Sequence, residues 1–393
     1  MSGAASIGDA RGWMAGLRAR AVTSRLPMGA SLELTYRCNL RCRHCYLGDR
    51  TGGKDAVPER DTRAILRSLD EWAEAGVLYL LITGGDPMIR ADFIDVYRHA
   101  AGLGMLIAVF CNGTLVSDRI VETFRVFPPR KVEISIYGAT ARTCDRVTGM
   151  PGSHERAWRG IRRLHGSGIR IALKTMLLSL NRHELDDMEA QATALGVEFR
   201  FDAAVFPALP GTPDPGSEGS EDRPSNAGCG VGGGGRGGER DAAGPIDFRV
   251  DPGTVAACDV ATPARRLRLA RAIRAARERP AGDRLYACGA GASFFAADPY
   301  GNLSPCLMAK QYCYPSAERD FQSIWLDDLS EIRSKRRSNA EMEIAGDLRG
   351  ACSHCPAFNF LETGDEEREP AQMVETARRR YEAVRATEEG ADL

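Results

Sequence analysis

The chain lacks an excess of charge of either sign: 52 lysines and arginines stand against 53 aspartates and glutamates, a formal charge of −1. That balance removes the electrostatic ground for nucleic acid or an anionic membrane as a partner. No apolar run approaches the ~18 residues that span a bilayer, and the stretch before Ser31 has no long apolar segment of the secretory kind. The expected location is therefore the cytoplasm. What the chain does have is cysteine, 12 in all. Without an export signal, so many thiols point away from a disulfide framework and toward metal or redox chemistry in a reducing compartment. Cys111, Cys144, Cys229 and Cys258 stand alone and read as small apolar residues. The rest fall in or near clustered spacings, with Cys313 as a spare.

From Ser31 to Asp202, β-rich runs at 31–35, 77–83, 105–111, 131–137, 170–176 and 198–202 alternate with helical patterns at 60–75, 91–103, 118–124, 154–166 and 182–195. Serial β-α units predict a parallel sheet with helical crossovers, as an open doubly wound sheet or a partial barrel. In both, chemistry collects at the carboxyl ends of the strands. The unusual residues sit at those ends. A cysteine triplet follows the first run, Gly84-Gly85-Asp86-Pro87 the second and Asn112-Gly113-Thr114 the third, while Tyr137-Gly138 closes the fourth.

Beyond Leu209 the chain turns glycine-rich and proline-punctuated as far as Gly244, too poor in large apolar side chains to offset its ordering entropy, so it reads as a flexible insertion. Its GVGGGGRGG run has neither the following Lys-Ser/Thr nor the strand-helix setting of a phosphate loop. Residues 263–279 then read as an amphipathic helix with a solvated arginine face. The segment between Cys288 and Cys306, turning at Asp298-Pro299-Tyr300-Gly301, predicts a hairpin that brings its two cysteines together. Cys352 and Cys355 form a Cys-x2-Cys pair, and 369–387 reads as a surface helix.

Cys38, Cys42 and Cys45 place three thiolates on one loop after a buried strand. A closed zinc site takes four ligands, and a four-iron four-sulfur cluster takes one cysteine per iron, so a set of three leaves one iron open to a small molecule. This describes a reactive site. The second set, Cys288, Cys306, Cys352 and Cys355, offers four thiolates, enough to close either an iron-sulfur or a zinc site, since spacing alone does not separate the two.

The run CNLRCRHCY resembles the signature of the radical S-adenosylmethionine (radical SAM) superfamily. The resemblance implies a partial (β/α)6 TIM-type barrel whose three cysteines hold a 4Fe-4S cluster. There the open iron chelates SAM, which is cleaved to a 5′-deoxyadenosyl radical. It further implies that Gly84, Gly85, Asp86 and Pro87 match the family's GGEP turn against the SAM ammonium, with Asp86 carrying the carboxylate on a shorter arm than the usual Glu. By the same resemblance Ser135, Lys174 and Asn112 are candidate SAM contacts. Asp202 and Tyr137, at strand ends facing the expected mouth, are candidate catalytic groups for proton transfer or substrate grip.

The spacing Cys288-x12-Gly301-x4-Cys306 followed by Cys352-x2-Cys355 resembles the SPASM extension. No further cysteines follow, which points to its shorter twitch form with one auxiliary 4Fe-4S cluster. The implied organisation is a polar leader at 1–27, a radical SAM core at 28–206, an insertion and linker at 207–256, a small SPASM/twitch domain at 257–368 and a C-terminal helix and tail at 369–393. The stretch ISIYGATARTCDRVTGMPG looks most like maturases of ribosomally made peptides, relatives of the pyrroloquinoline quinone maturase. The implied substrate is a short precursor peptide that is crosslinked, epimerised or oxidised. Since no winged-helix recognition domain is visible, a separate chaperone of that type is expected, along with an external flavodoxin or ferredoxin as electron donor. The competing readings are a twitch-type dehydrogenase or epimerase of a small molecule such as an aminoglycoside, and a non-catalytic iron-sulfur or zinc scaffold.

Overall fold

The computed structural model describes residues 12, 16–17, 19–47, 58–209, 244–278, 282–338, 346–352 and 355–387. Most of the glycine-rich insertion, residues 210–243, lies outside them. Six parallel strands form in chain order: β1 (Gly29–Thr35), β2 (Tyr79–Gly84), β3 (Leu106–Cys111), β4 (Lys131–Ser135), β5 (Ile171–Met176) and β6 (Glu198–Asp202). The helices that return the chain between them are α1 (Thr62–Glu74), α2 (Phe93–Gly102), α3 (Asp118–Val126), α4 (Ala141–Thr148), α5 (Ser153–Gly166) and α6 (Leu185–Ala194). This is the expected α/β core, a partial barrel of six β-α units. α4 is an addition to the expected elements.

Strand alternation sorts the side chains. Leu32, Leu34, Leu80, Ile82, Val109, Val132, Ile134 and Leu173 are buried in one continuous core with Trp72 of α1, Phe93 of α2 and Phe124 of α3. The residues between them, including Glu33 and Glu133, belong to the opposite face, which in a barrel is the inside.

The chain continues as α7 (Pro252–Val260), α8 (Pro263–Arg277), the strands β7 (Phe294–Ala297), β8 (Asn302–Ser304) and β9 (Tyr314–Pro315), then α9 (Pro356–Thr363) and α10 (Ala371–Arg385). α7 starts inside the range assigned to the linker because Asp251 caps it, accepting from Thr254 N at 2.9 Å, and Pro252 opens its first turn. The hairpin expected around Asp298–Gly301 is present as antiparallel β7 and β8. It is not a free-standing feature. β7 pairs in parallel with β1, giving one nine-stranded sheet in the order β6-β5-β4-β3-β2-β1-β7-β8-β9. Phe295 of β7 meets the Trp72 ring at 5.1 Å, so the C-terminal strands share the core of the first six. Among the described residues no helix is long and apolar enough to cross a membrane.

Two candidate cysteine sites

The loop after β1 is held by the elements that the sheet brings beside it. Thr35 Oγ1 and Tyr36 N donate to the same Glu59 oxygen at 2.6 and 3.0 Å. The turn after β2 closes over the same segment, with Gly85 N donating to Thr35 O at 2.8 Å and Asp86 N to Arg37 O at 3.0 Å. A Cβ on Gly85 would lie 2.3 Å from Arg37 O and 2.6 Å from Tyr36 O, so glycine is what allows the two backbones to meet.

Asp86 is fully buried and ties strand ends together, accepting from Met88 N at 3.0 Å and from Asn112 N at 2.8 Å. Burial pushes its carboxyl up to about 6, against the pull of those two bonds. Asn112 Nδ2 in turn donates to Asn39 Oδ1 at 2.9 Å and reaches Cys38 Sγ at 3.7 Å. The structure thus joins Asp86, Asn112 and Cys38 through one short chain of bonds.

The other side of the loop rests on α4. Arg41 N donates to Thr148 O at 2.8 Å and Arg43 N to Val147 O at 3.0 Å. The sequence carried a signal for this helix: Thr140, which accepts from Thr143 N, opens it, and Gly149, in the left-handed region at φ 67°, closes it. Its anchor was not legible. Glu184 accepts from Ala139 N (2.7 Å), Thr140 N (3.0 Å) and the hydroxyls of Thr140 (2.7 Å) and Thr143 (2.5 Å), fixing the start of α4 from the start of α6.

Burial pushes the Cys38 thiol up to about 11 and the Cys42 thiol well above its ordinary value; in each, the neighbouring Cys45 charge adds to the rise. Thiols that raise one another lie close enough for their anions to repel, so metal-free they stay protonated, and a cationic centre would relieve that repulsion. Among the described residues no three His, Cys, Asp or Glu side chains converge on a point that holds a single metal ion. A cluster gives each thiolate its own iron, so the donor set fits a cluster better than one ion.

Two of the predicted residues meet over this loop. The Tyr137 phenol is raised by burial and then by the Cys42 charge, and it is hydrogen-bonded to Ser135. The His44 ring lies 4.7 Å from the Tyr137 ring, and burial lowers the imidazole to about 4. Lys174 lies 3.4 Å from the centre of the Phe110 ring and 3.7 Å from Glu133. Burial lowers the lysine to about 8, with Glu133 opposing. Glu133 also pairs with Lys131 and, at 2.6 Å, with Arg200. This group on the inner face of β4, β5 and β6 was not anticipated beyond Lys174; the alternation in Val132-Glu133-Ile134-Ser135 is the signal that puts Glu133 and Ser135 on one face. Asp202 is exposed and closes a turn, accepting from Ala204 N at 2.8 Å.

Glu33 was also missed. It is fully buried on β1, paired with Lys310 and accepting from Tyr36 OH at 3.1 Å, while its Oε1 has no hydrogen-bond partner among the described residues. Lys310 follows Cys306 closely, so this pair joins the first cysteine region to the second.

In that second region Cys288, Cys306 and Cys355 are neighbours. Burial raises Cys306, with Cys288 adding to it; burial pushes Cys355 up to about 11, with Cys306 and Cys288 adding. Cys352 is not gathered with them. Burial pushes it up to about 12, its charged neighbours are Arg380 and Glu369, and it packs against a separate buried cluster that includes Ala270, Ile273 and Val374. Cys313 is disulfide-bonded. Cys111 and Cys144 are buried, as expected of small apolar residues, with Cys144 bordering Cys42.

The radical SAM superfamily model matches residues 32–192. The AdoMet-dependent heme synthase of Methanosarcina barkeri is 34% identical over 166 residues, 42% of this chain and 46% of its own length. Mycofactocin maturase MftC of Mycobacterium ulcerans is 31% identical over 176 residues, 44% of this chain and 47% of its own. The chain thus spans less than half the length of these curated relatives. Streptococcus suis SuiB, solved bound to S-adenosylmethionine, aligns at a TM-score of 0.62 and 15% identity over 94% of this chain and 83% of its own. SuiB has also been solved bound to its precursor peptide SuiA, and that structure aligns at a TM-score of 0.62. With the three-cysteine loop at the carboxyl end of β1 and the sheet that carries it, this chain contains a radical SAM domain, and that domain implies a 4Fe-4S cluster and SAM.

Proposed function

We propose that Cys38, Cys42 and Cys45 hold a 4Fe-4S cluster with one iron left for SAM, and that the chain uses this centre to modify a short ribosomally made peptide. Held by these three cysteines, the cluster with SAM would supply radical chemistry able to remove a hydrogen atom from substrate. The chain's own residues bind, orient and enclose. The observation that carries the reading is the three-thiol loop itself, clamped between the Gly84–Pro87 turn and α4 at the carboxyl end of the sheet.

In this reading the turn's carbonyls would accept from the SAM ammonium, which offers only donors, while the Gly85 and Asp86 N–H groups hold the turn in place by donating to Thr35 and Arg37. Asn112 positions Cys38, and Ser135 with Tyr137 walls the loop. Lys174 is matched by Glu133, so it offers a SAM carboxylate a charge that is already half compensated. Asp202 stands at the mouth, exposed to a substrate. The core at 28–206 and the twitch domain at 257–368 then divide the work: Cys288, Cys306 and Cys355 begin a second cluster site, while Cys352, the fourth thiol by spacing, is packed apart from them. Iron and acid-labile sulfide analysis separates that cluster from a structural zinc.

The peptide assignment is supported by the similarity to mycofactocin maturase and by the fold shared with SuiB over most of the chain. A separate winged-helix recognition protein and a flavodoxin or ferredoxin donor complete it. The reading is tested by incubating anaerobically reconstituted protein, SAM and reductant with peptides encoded beside its gene, with and without such a recognition protein. A mass change in one peptide that requires SAM supports it. A second reading, radical chemistry on a small molecule, is favoured by the 34% identity to a heme synthase. It predicts SAM-dependent turnover of the small molecule with every peptide unchanged, and that result overturns the first.

A further inference from the structure

We propose that Glu366 is the positioning residue of the second cysteine site, a single carboxylate that ties together the three segments bearing Cys288, Cys306 and Cys355. The proposal rests on the reading of those cysteines as cluster ligands. Glu366 Oε1 accepts from Tyr286 OH at 2.6 Å, from Gln311 Nε2 at 3.0 Å and from Tyr312 OH at 2.8 Å. Oε2 lies 2.7 Å from the same Tyr312 hydroxyl and 3.2 Å from Lys335 Nζ, which also bonds Tyr312 OH.

The donors come from different parts of the site. Tyr286 comes two residues before Cys288, Gln311 and Tyr312 lie shortly after Cys306, and Glu366 follows the helix that Cys355 opens. Asn359, fully buried in that helix, donates its Nδ2 to the Glu366 carbonyl at 3.0 Å, so the carboxylate and the Cys355 helix move together. Leu285 N donates to Lys335 O at 3.0 Å, which brings the lysine beside the Tyr286 segment. Buried phenols require an acceptor, and an ionised carboxylate can serve several donors at once. No neutral side chain of similar size offers that capacity, and no cysteine does. Cys288 and Cys306 are brought together by the β7–β8 hairpin, but no strand pairing among the described residues adds the distant Cys355 segment to them. Glu366 does so before any metal arrives.

The test places Glu366→Ala and Glu366→Gln in a Cys38→Ala, Cys42→Ala, Cys45→Ala background, where second-site iron is read alone. After reconstitution that background is expected to hold about four irons per chain. Glu366→Ala should lower this at least fivefold. Glu366→Gln, which keeps the shape and one acceptor oxygen, should retain an intermediate amount with a shifted electron paramagnetic resonance signal. With the three cysteines restored, Glu366→Ala should keep first-site iron, which shows that the chain still folds. If Glu366→Ala fails to fold, Glu366→Gln decides. Unchanged iron, signal and reduction potential, with only a lower melting temperature, would show a merely structural role and overturn the proposal. A background that takes up no iron overturns the second-cluster reading and this inference with it, whereas full iron in both variants overturns this inference alone.

Discussion

The two cysteine sites are built in opposite ways. Cys38, Cys42 and Cys45 come from one short loop whose shape is fixed by backbone bonds to its neighbours: the Gly85 turn on one side and the Val147–Thr148 end of α4 on the other. Cys288 and Cys306 flank the β7–β8 hairpin, and the distant Cys355 segment is joined to them by side chains that converge on Glu366. Each region also contains a carboxylate that accepts several donors, the buried Glu184 beside the first and the half-buried Glu366 within the second. A local set of ligands tolerates loss of a distant side chain but not of close backbone packing. A gathered set has the reverse weakness.

The largest effect that this comparison predicts is at Gly85. A methyl group there meets two carbonyl oxygens well inside contact distance, and backbone cannot yield as a flexible side chain does. Gly85→Ala should cost about 1–3 kcal/mol in denaturant unfolding and abolish first-site iron while second-site iron persists. Equal loss at both sites would break the comparison.

Next in size is the contrast within the second set. Cys306→Ala should remove second-site iron. Cys352→Ala tests whether the sequence spacing or the observed packing describes its role. With Cys352 packed against the Ala270, Ile273 and Val374 cluster, the substitution should retain most of the iron, as measured by iron and sulfide per chain. Complete loss would mean that Cys352 leaves its pocket when metal binds.

The smallest expected effect is on pH. Burial alone would raise the Glu366 carboxyl, but the Tyr286 and Tyr312 hydroxyls and the Lys335 charge outweigh it, and the group sits below its ordinary value. A depressed carboxyl contributes stability that is present above its unfolded value of about 4.3 and is lost as pH falls through the lower folded value. The stability gap between the metal-free wild type and Glu366→Gln should therefore be full near neutrality and close below about pH 4. A gap that does not change across that range would place the Glu366 contribution in packing rather than charge.

Much of the fold was legible because it is periodic. The strand runs in the first half of the chain alternate in and out of a single core, and their boundaries shift by only a few residues, as at Val77, where the strand begins at Tyr79. The first site was legible because its ligands and its glycine turn are contiguous. What sequence did not disclose are the long-range pairings. β7 joins β1 across more than half the chain, Glu184 reaches back to Thr140 and Thr143, and Glu133 matches Lys174 from a neighbouring strand. None of these leaves a local pattern. α4 is the exception: its Thr140 and Gly149 caps and its one-sided burial of Thr143, Cys144, Val147 and Thr148 were visible, but eight residues are too few to set a helical period apart from a loop. Cys352 shows the converse, a spacing that reads as a ligand pair while the packing holds its two members apart.

The central claim is that the Cys38, Cys42 and Cys45 loop makes this chain a SAM-cleaving enzyme. Its most direct test is 5′-deoxyadenosine production by anaerobically reconstituted, reduced protein, comparing wild type with the Cys38→Ala, Cys42→Ala, Cys45→Ala variant. The account predicts 5′-deoxyadenosine from wild type and none above background from the variant, even with second-site iron in place. Undiminished SAM cleavage by the variant would contradict it.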